Sequence, residues 1–299
     1  MTQMKELRKR SPRRMKHIYV ALLLVFLALL SGMAIPFSGV LDLVLSPRPT
    51  CTLADQIIAS NMRKAVRGCP AGTGNDVITL HDSLTLNRSL PRITSTITIE
   101  GKGHTIDGDG KYQIFDVMGG VLHISDLIMT RGKAYEGGAI ELGDGAELVL
   151  MRSTIRDSSA TNGGAIHSDE SWIKVVESSF INNSAVEEGG AIFDKGDLHT
   201  LEIKDSTFIG NSSANGGGFY KLWSSVRIEN STFKDNTADK GGGFYADYAD
   251  VSVNNTRLDN NTAREGNAVY RLGGTMELHN SIIVGKGSGP HVYRSDGKR

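Results

Sequence analysis

The tetrapeptide Gly137-Gly138-Ala139-Ile140 recurs along the chain as Gly163-Gly164-Ala165-Ile166, Gly189-Gly190-Ala191-Ile192, Gly216-Gly217-Gly218-Phe219 and Gly241-Gly242-Gly243-Phe244, with Gly266-Asn267-Ala268-Val269 as a degenerate sixth copy. Successive copies therefore begin at a nearly constant interval. A nearly fixed period of about 25 residues is typical of repeat proteins, in which each unit buries its apolar face only by stacking on the next unit. The repeat therefore decides the fold class before any single motif is considered.

Each unit also contains short segments in which apolar and polar side chains alternate. Two apolar columns, set two positions apart, keep register over eight units: Ile97, Leu122, Leu148, Ile173, Leu201, Val226, Val251 and Met276, with Ile99, Ile124, Leu150, Val175, Ile203, Ile228, Val253 and Leu278. A third column follows later in each unit: Ile155, Phe180, Phe208, Phe233, Leu258 and Ile283. Short segments with this alternation form strands rather than helices. We therefore predict an all-β fold, a right-handed parallel β-helix of about eight to nine coils with these columns inside.

Asparagine recurs shortly after the third apolar column. It stands at Asn183, Asn211, Asn236 and Asn261, and the preceding unit has Ser158 at the equivalent position. Amides at one position of successive coils can stack into a ladder and bond the backbone groups of a tight turn. We predict a structural role for this column.

Composition and charge exclude several classes of protein. The 299 residues contain 33 Lys+Arg and 33 Asp+Glu, so no basic excess indicates nucleic-acid binding. Two cysteines are too few for a disulfide-dense mini-protein or a four-cysteine zinc site. The histidines show no metal-ligand spacing, and no hydrolase or metalloprotease motif occurs. We predict no catalytic residues, no cofactor and no metal site.

Acidic residues in the predicted turns were weighed as ligands or catalysts. The segment 107–111 places Asp107 and Asp109 at loop spacing, but Lys111 stands where a third ligand is needed and the intervening glycines are typical of a turn. No column repeats aspartate, so Asp169 and Asp194 are also interpreted as residues of solvated turns.

The N-terminus has the composition of a targeting segment, with seven Lys/Arg and one Glu between Met1 and His17, followed by an apolar stretch. From this pattern we divide the chain into a basic cytoplasmic tail (1-17), a signal anchor or signal peptide (18-40), a linker (41-50), an N-terminal cap (51-75) and the parallel β-helix (76-299). The body is then either membrane-anchored outside the cytoplasm or secreted. The sequence leaves both alternatives open.

The two cysteines flank part of the predicted cap. Cys51 and Cys69 enclose a helix-like segment from Leu53 to Val66. Because an exported chain meets an oxidising environment, we predict a disulfide that pins this segment over the first coil.

Two parts of the chain resemble known bacterial proteins. The segments Cys51-Thr-Leu-Ala-Asp-Gln-Ile57, 68–74, 78–80 and 97–108 are similar to the CSLREA-type opening of exported right-handed β-helix proteins, although Thr-Leu-Ala-Asp-Gln stands where that family has Ser-Leu-Arg-Glu-Ala. From residue 137 onward, the Gly-Gly-Ala-Ile units and the Phe-x-x-Asn pairs, such as Phe180/Asn183, resemble the repeats of polymorphic outer-membrane proteins. The second resemblance implies a surface adhesin.

A column of aromatic residues follows the apolar residue of each glycine unit. It comprises Phe193, Tyr220, Tyr245 and Tyr270, preceded in the same column by Glu141 and His167. Alternation places these side chains outside the coils, where they form either a contact strip for sugar rings or another protein, or a self-stacked ladder that stiffens the solenoid. Trp172 and Trp223 stand near the strip and join the contact hypothesis.

We therefore predict a non-enzymatic cell-surface or secreted module for adhesion or glycan contact. Its predicted partners are an extracellular glycan or another surface protein, together with the membrane through the N-terminal segment. The alternative is a carbohydrate-active β-helix enzyme of the polysaccharide lyase or hydrolase type, since such enzymes use this scaffold. Three or more carboxylates converging in a groove would favour the enzyme.

Overall fold

A computed structural model of the chain describes residues 50–143, 145–285 and 291–295. The predictions for 1-17, 18-40 and most of 41-50 therefore lie outside the described residues. Within the described ranges, no helix is both long and apolar enough to cross a membrane.

Three long parallel sheets form the walls of a β-solenoid. Sheet I contains β1 (Asn75–Thr79), β3 (Thr96–Glu100), β6 (Val121–Ser125), β9 (Glu147–Met151), β13 (Trp172–Val176), β17 (Leu201–Lys204), β20 (Ser225–Glu229), β23 (Asp250–Asn254) and β26 (Met276–His279). Sheet II contains β2 (Leu84–Thr85), β4 (Thr105–Asp107), β7 (Ile128–Thr130), β10 (Thr154–Arg156), β14 (Ser179–Ile181), β18 (Thr207–Ile209), β21 (Thr232–Lys234), β24 (Arg257–Asp259) and β27 (Ile282–Val284).

Sheet III follows the glycine units. It contains β5 (Phe115–Met118), β8 (Ile140–Gly143), β12 (Ile166–Asp169), β16 (Ile192–Lys195), β19 (Phe219–Leu222), β22 (Phe244–Asp247), β25 (Val269–Leu272) and β28 (Val292–Ser295). A short fourth sheet pairs β11 (Ser159–Asn162) with β15 (Ser184–Glu188). Neighbouring strands of each sheet are parallel and one coil apart, and sheets I and II have nine strands each. The predicted all-β parallel solenoid of about nine coils is confirmed.

The predicted apolar columns face the interior. The first two line sheet I and are nearly inaccessible over seven coils, while Met276 and Leu278 in the last strand of that sheet are partly exposed. The third lines sheet II, where Phe208 stacks between Phe180 and Phe233 with ring centroids 4.7 and 4.6 Å away. Each inward side chain thus contacts the side chain at the equivalent position of the next coil, because neighbouring strands are parallel and in register.

The asparagine column forms the predicted ladder inside the turns after sheet II. The Oδ1 atom of Asn211 accepts hydrogen bonds from the backbone N–H and the Nδ2 of Asn183, at 2.9 and 3.1 Å. In turn Asn211 donates from Nδ2 to Asn236 Oδ1 and to the carbonyl of Phe180, both at 3.0 Å. These amides are fully buried, so the ladder pairs backbone groups that water cannot reach.

A second polar ladder was not predicted from the sequence. It lies between sheets I and II and comprises Ser153, Ser178, Ser206, Ser231 and Thr256. Each backbone N–H donates to the hydroxyl oxygen one coil on, at 3.1–3.2 Å, and each hydroxyl donates to the carbonyl two residues before it. Hydroxyl and amide ladders therefore hold the two corners that flank sheet II.

Both glycines of the recurring unit are required by close backbone contacts. Gly163 has a φ of 61°, and a Cβ atom there would lie 2.1 Å from the carbonyl oxygen of Ile166. A Cβ atom on Gly164 would lie 2.2 Å from the carbonyl oxygen of Gly190 in the next coil. The first glycine therefore makes the turn, and the second allows the coils to stack.

Helix α1 (Leu53–Met62) caps the first coil, with Leu53 and Ile57 packed into the apolar core. The helix is shorter than the predicted segment to Val66, and the prediction of its end is wrong. Arg63 adopts a left-handed conformation with a φ of 52° and donates its N–H to Ser60, which ends the helix. The chain then turns back, and Cys51 and Cys69 are joined by a disulfide in the structure.

Candidate functional site

The outward column predicted from the glycine units is one continuous row of side chains on sheet III, here called the sheet III ladder. It runs from Asp116 through Glu141, His167, Phe193, Tyr220, Tyr245 and Tyr270 to Tyr293, each paired in register with the next. Its first part is acidic and its last part is aromatic. The two ends therefore offer different chemistry on one line.

The aromatic part is a buried stack and not an open strip. Phe193, Tyr220, Tyr245 and Tyr270 are only 5–6% exposed. Centroid separations between successive rings, including Tyr293, are 5.5, 4.6, 4.6 and 4.9 Å, so the ring faces contact one another. Of the two alternatives for this column, the structure shows the self-stacked ladder, because the coil spacing is close to the stacking distance and the rings cover each other.

Polar groups along the aromatic part are fixed as well. The Tyr220 hydroxyl donates to Asp247 Oδ2 at 2.7 Å, and the ammonium of Lys240 lies 5.2 Å above the ring centre of Tyr270. Burial raises the pKa of Tyr220 above its usual value, and the Asp247 carboxylate adds to this effect. Burial likewise raises the pKa of Tyr245. The phenols of Tyr220 and Tyr245 therefore stay neutral near neutral pH.

At the other end, the ladder brings three ligand-type side chains together. His167 Nδ1 lies 3.0 Å from Glu141 Oε1, and His167 Nε2 lies 3.9 Å from Glu136 Oε1 in the turn before β8. The imidazole is 7% exposed, the Glu141 side chain 19% and the Glu136 side chain 42%. Phe193 stacks on the other face of the imidazole, with ring centroids 5.1 Å apart. We call Glu136, Glu141 and His167 the acidic cluster.

The Glu141 carboxyl group has a pKa above its usual value. Burial raises this pKa, the contact with His167 lowers it, and the negative charges of Glu136 and Asp116 raise it further. Asp116 is held on its other side by Arg92, whose Nε donates to Oδ2 at 2.9 Å. Two carboxylates thus contact one imidazole, and a third, Asp116, follows Glu141 on the other side of the ladder.

The sequence did not reveal this cluster because its members are distant in the chain, although a signal was present. Glu141 and His167 are separated by one period of the repeat, and Glu136 stands shortly before Glu141 in the same unit. Equivalent positions in successive coils become neighbours in a solenoid. Searching for ligands by repeat position rather than by local spacing would have found them.

A buried ion pair lies on the inward side of the same sheet. Lys221 Nζ donates to Asp194 Oδ2 at 2.8 Å, and the two side chains are 1% and 2% exposed. The ammonium also contacts the carbonyls of Gly196 and His199, at 3.3 and 3.4 Å. The interpretation of Asp194 as a solvated turn residue is therefore wrong, since β16 carries it into the interior.

Two large aromatic side chains remain accessible next to the ladder. Trp223 is 41% exposed and Tyr248 is 44% exposed, each in the turn directly after a sheet III strand. The backbone N–H of Trp223 donates to the carbonyl of Asp247, the residue before Tyr248. Trp223 and Tyr248 therefore occupy equivalent positions of successive coils. Trp172, by contrast, is half-buried in β13. We call Trp223 and Tyr248 the aromatic pair.

The other acidic candidates form ordinary surface pairs. Asp107 is bound by the guanidinium of Arg131, and Lys111 Nζ lies 2.7 Å from Asp109 Oδ2 in a turn where Asp109 has a φ of 57°. On sheet I, Lys174 pairs with Glu202 at 3.1 Å on the solvent face. Each of these contacts joins an acidic and a basic side chain, and together they stabilise turns and strands.

One comparison with known proteins gives a match. Residues 177–195 match the Chlamydia polymorphic membrane protein repeat. The matched segment spans β14, β15, the third glycine unit and β16, which is most of one coil without its sheet I strand. The match and the fold together fit a β-helix of the polymorphic membrane protein type, while the resemblance of the N-terminal region to CSLREA-type proteins stays a prediction. No curated protein matches the chain, and no solved structure does.

Proposed function

We propose that this chain is a surface-exposed β-helix of the outer-membrane type and that it contacts glycans through the aromatic pair. The repeat match supports the surface assignment, because the repeat that residues 177–195 resemble is that of a polymorphic membrane protein. The exposure of Trp223 and Tyr248 is the observation that supports glycan contact. Aromatic rings stack on the apolar faces of sugars, and accessible rings in adjacent coils offer two such platforms.

The turn that carries the aromatic pair has a left-handed backbone. Trp223 and Tyr248 have φ values of 65° and 50°, Glu170 at the equivalent position of an earlier coil has a φ of 50°, and Gly273 one coil after Tyr248 has a φ of 64°. The left-handed conformation therefore belongs to the turn whatever residue occupies it, and the support for glycan contact comes from the exposure of the two rings.

The test is binding of the full chain to immobilised glycans, with Trp223→Ser/Tyr248→Ser compared with wild type. Loss of two stacking rings is expected to weaken binding by about 1–3 kcal/mol, roughly 5- to 150-fold. Tyr135→Ser is the matched control, because Tyr135 is 73% exposed and lies in a different turn. Equal binding by the double variant, or no binding by wild type across a glycan array, would overturn the proposal.

The alternative function, a carbohydrate-active enzyme, gains support from one observation. The carboxylates of Glu136 and Glu141 lie together at the acidic end of the ladder, with one oxygen of each within 4.8 Å of the other. Paired carboxylates are the groups that glycoside-cleaving enzymes use. A polysaccharide depolymerisation screen with wild type and Glu141→Gln tests this alternative, which requires cleavage by wild type and its loss in the variant.

A further inference from the structure

The acidic cluster has more acceptor oxygens than the protein has donors for them. Asp116 Oδ1, Glu141 Oε2 and Asn162 Oδ1 are all buried, and none has a hydrogen-bond partner among the described residues. Asp116 pairs in register with Glu141, and Asn162 bridges to Glu136. Buried oxygens without donors are rare in folded proteins, since each unpaired group costs about 1–3 kcal/mol. One of the three belongs to the acidic cluster and the other two belong to residues paired with it in register, so this region has oxygen atoms that could bind a cation.

Charge leads to the same conclusion. Within the described part of the chain, neither Glu136 nor Glu141 is ion-paired to a Lys or Arg, and Asp116, which pairs in register with Glu141, is ion-paired to Arg92. The three carboxylates therefore outnumber their Lys and Arg partners by two. Partly buried charges of one sign repel strongly, and one divalent ion would neutralise them.

The geometry is that of a ligand set. Glu136, Glu141 and His167 can each offer one ligand atom such that all three atoms lie within 4.8 Å of one another. The 3.0 Å separation of His167 Nδ1 and Glu141 Oε1 is close to the roughly 3.0–3.5 Å between two ligands of one zinc ion with bonds of about 2 Å. The half-exposed Glu136 leaves a path from solvent, and the stacked Phe193 ring holds the imidazole plane in place.

We propose that Glu136, Glu141 and His167 bind a divalent transition-metal ion of the zinc class. Imidazole nitrogen with carboxylate oxygens suits zinc, whereas calcium prefers six to eight oxygen ligands. Asn162 and Asp116 supply the buried oxygens nearest in the repeat to complete or orient the set. The aromatic part of the sheet III ladder then also positions a metal ligand, because its first ring, Phe193, stacks on the His167 imidazole.

The experiment is calorimetric titration of the metal-free full chain with zinc chloride, and with calcium chloride at the same concentrations. Wild type is expected to bind one zinc ion per chain and to bind calcium at least tenfold more weakly. His167→Gln and Glu141→Gln are each expected to weaken zinc binding at least tenfold. His123→Gln is the matched control, because His123 also lies close to a carboxylate, 3.5 Å from Glu147, but on sheet I. This variant is expected to bind zinc as wild type does.

A second measurement needs no variant and therefore does not depend on whether the variants fold. X-ray absorption at the zinc edge of the one-to-one wild-type complex is expected to show one imidazole nitrogen among oxygen ligands. Absence of one-to-one zinc binding, a site preferring calcium, a spectrum with two or more imidazoles, or an equal loss of affinity in His123→Gln would each overturn the proposal. Zinc binding tested in this way is independent of glycan contact, which concerns the aromatic pair.

Discussion

Lys221 shows how a single residue is accommodated in the interior of this solenoid. Its ammonium has three acceptors: Asp194 Oδ2 and the carbonyls of Gly196 and His199. Two of the acceptors belong to the segment between β16 and β17, which is where the repeat carries extra residues. The insertion therefore supplies backbone oxygens that an apolar coil would not need, and it allows a charge inside an otherwise apolar wall.

Removing one partner of the Lys221–Asp194 ion pair is expected to destabilise the protein strongly. Lys221→Met leaves the Asp194 carboxylate buried without a cation, which is expected to lower the free energy of unfolding by about 3–5 kcal/mol. Asp194→Leu/Lys221→Met removes both charges and is expected to recover part of that loss. Urea unfolding measures both. Lys195→Met is the control, because Lys195 pairs with Asp169 at 3.4 Å on the exposed side, and a loss as large as that of Lys221→Met would contradict this account.

At the scale of an element, strands are stabilised by rows of like side chains, which run inside the solenoid on sheet II and outside it on sheet III. Phe208 on β18 contacts Phe180 and Phe233 inside the solenoid, while Tyr220 on β19 contacts Phe193 and Tyr245 outside it. The inner row is fully buried and the outer row almost so. Both rows therefore contribute packing to the fold, whichever side of the sheet they occupy.

The inner row is tested by Phe208→Ala. The cavity and the lost transfer free energy together are expected to lower stability by about 3–5 kcal/mol. Chemical unfolding measures the loss. A folded variant that loses less than about 1 kcal/mol would show that the ring is not a core residue.

The outer row is tested by Tyr220→Ser/Tyr245→Ser. The rings are almost wholly buried and stacked, so we expect a loss of about 3 kcal/mol or more and an earlier thermal transition. Trp223→Ser/Tyr248→Ser replaces two neighbouring but exposed rings and is expected to leave stability nearly unchanged. Equal melting temperatures for the two double variants would mean that the ladder does not stabilise the solenoid.

The elements and the sites differ in how far the sequence predicts them. Period and alternation predict the strands, the inward columns and the asparagine ladder, because these depend on which residues repeat. The sequence left the outward aromatic column open between a contact strip and a self-stacked ladder, because alternation gives only the side of a sheet and not whether rings one coil apart cover each other. The Lys221–Asp194 pair and the acidic cluster were missed because each brings unlike residues together over two coils, so no single residue type repeats to reveal them.

At the scale of the whole molecule, the coils form a one-dimensional stack in which each contacts chiefly its neighbours. The two ends of such a stack lack a neighbour and are the places where it opens first. Helix α1 covers the first coil through Leu53 and Ile57, and the hydroxyl of Ser60 donates a hydrogen bond to Asp76 Oδ2 on β1 at 2.6 Å. The cap therefore protects the edge of sheet I, and the disulfide holds the cap segment closed.

The last prediction concerns this cap. Cys51→Ser/Cys69→Ser opens a loop with a sequence separation of 18, and the chain-entropy model gives a loss of about 3 kcal/mol. Since coupling between coils is local, the loss is expected as faster hydrogen exchange in β1 and β3, with β20 and β23 unchanged. Hydrogen exchange with mass spectrometry of the full chain resolves the two regions. Faster exchange spread evenly over all coils, or none anywhere, would show that the disulfide does not act by closing the first coil.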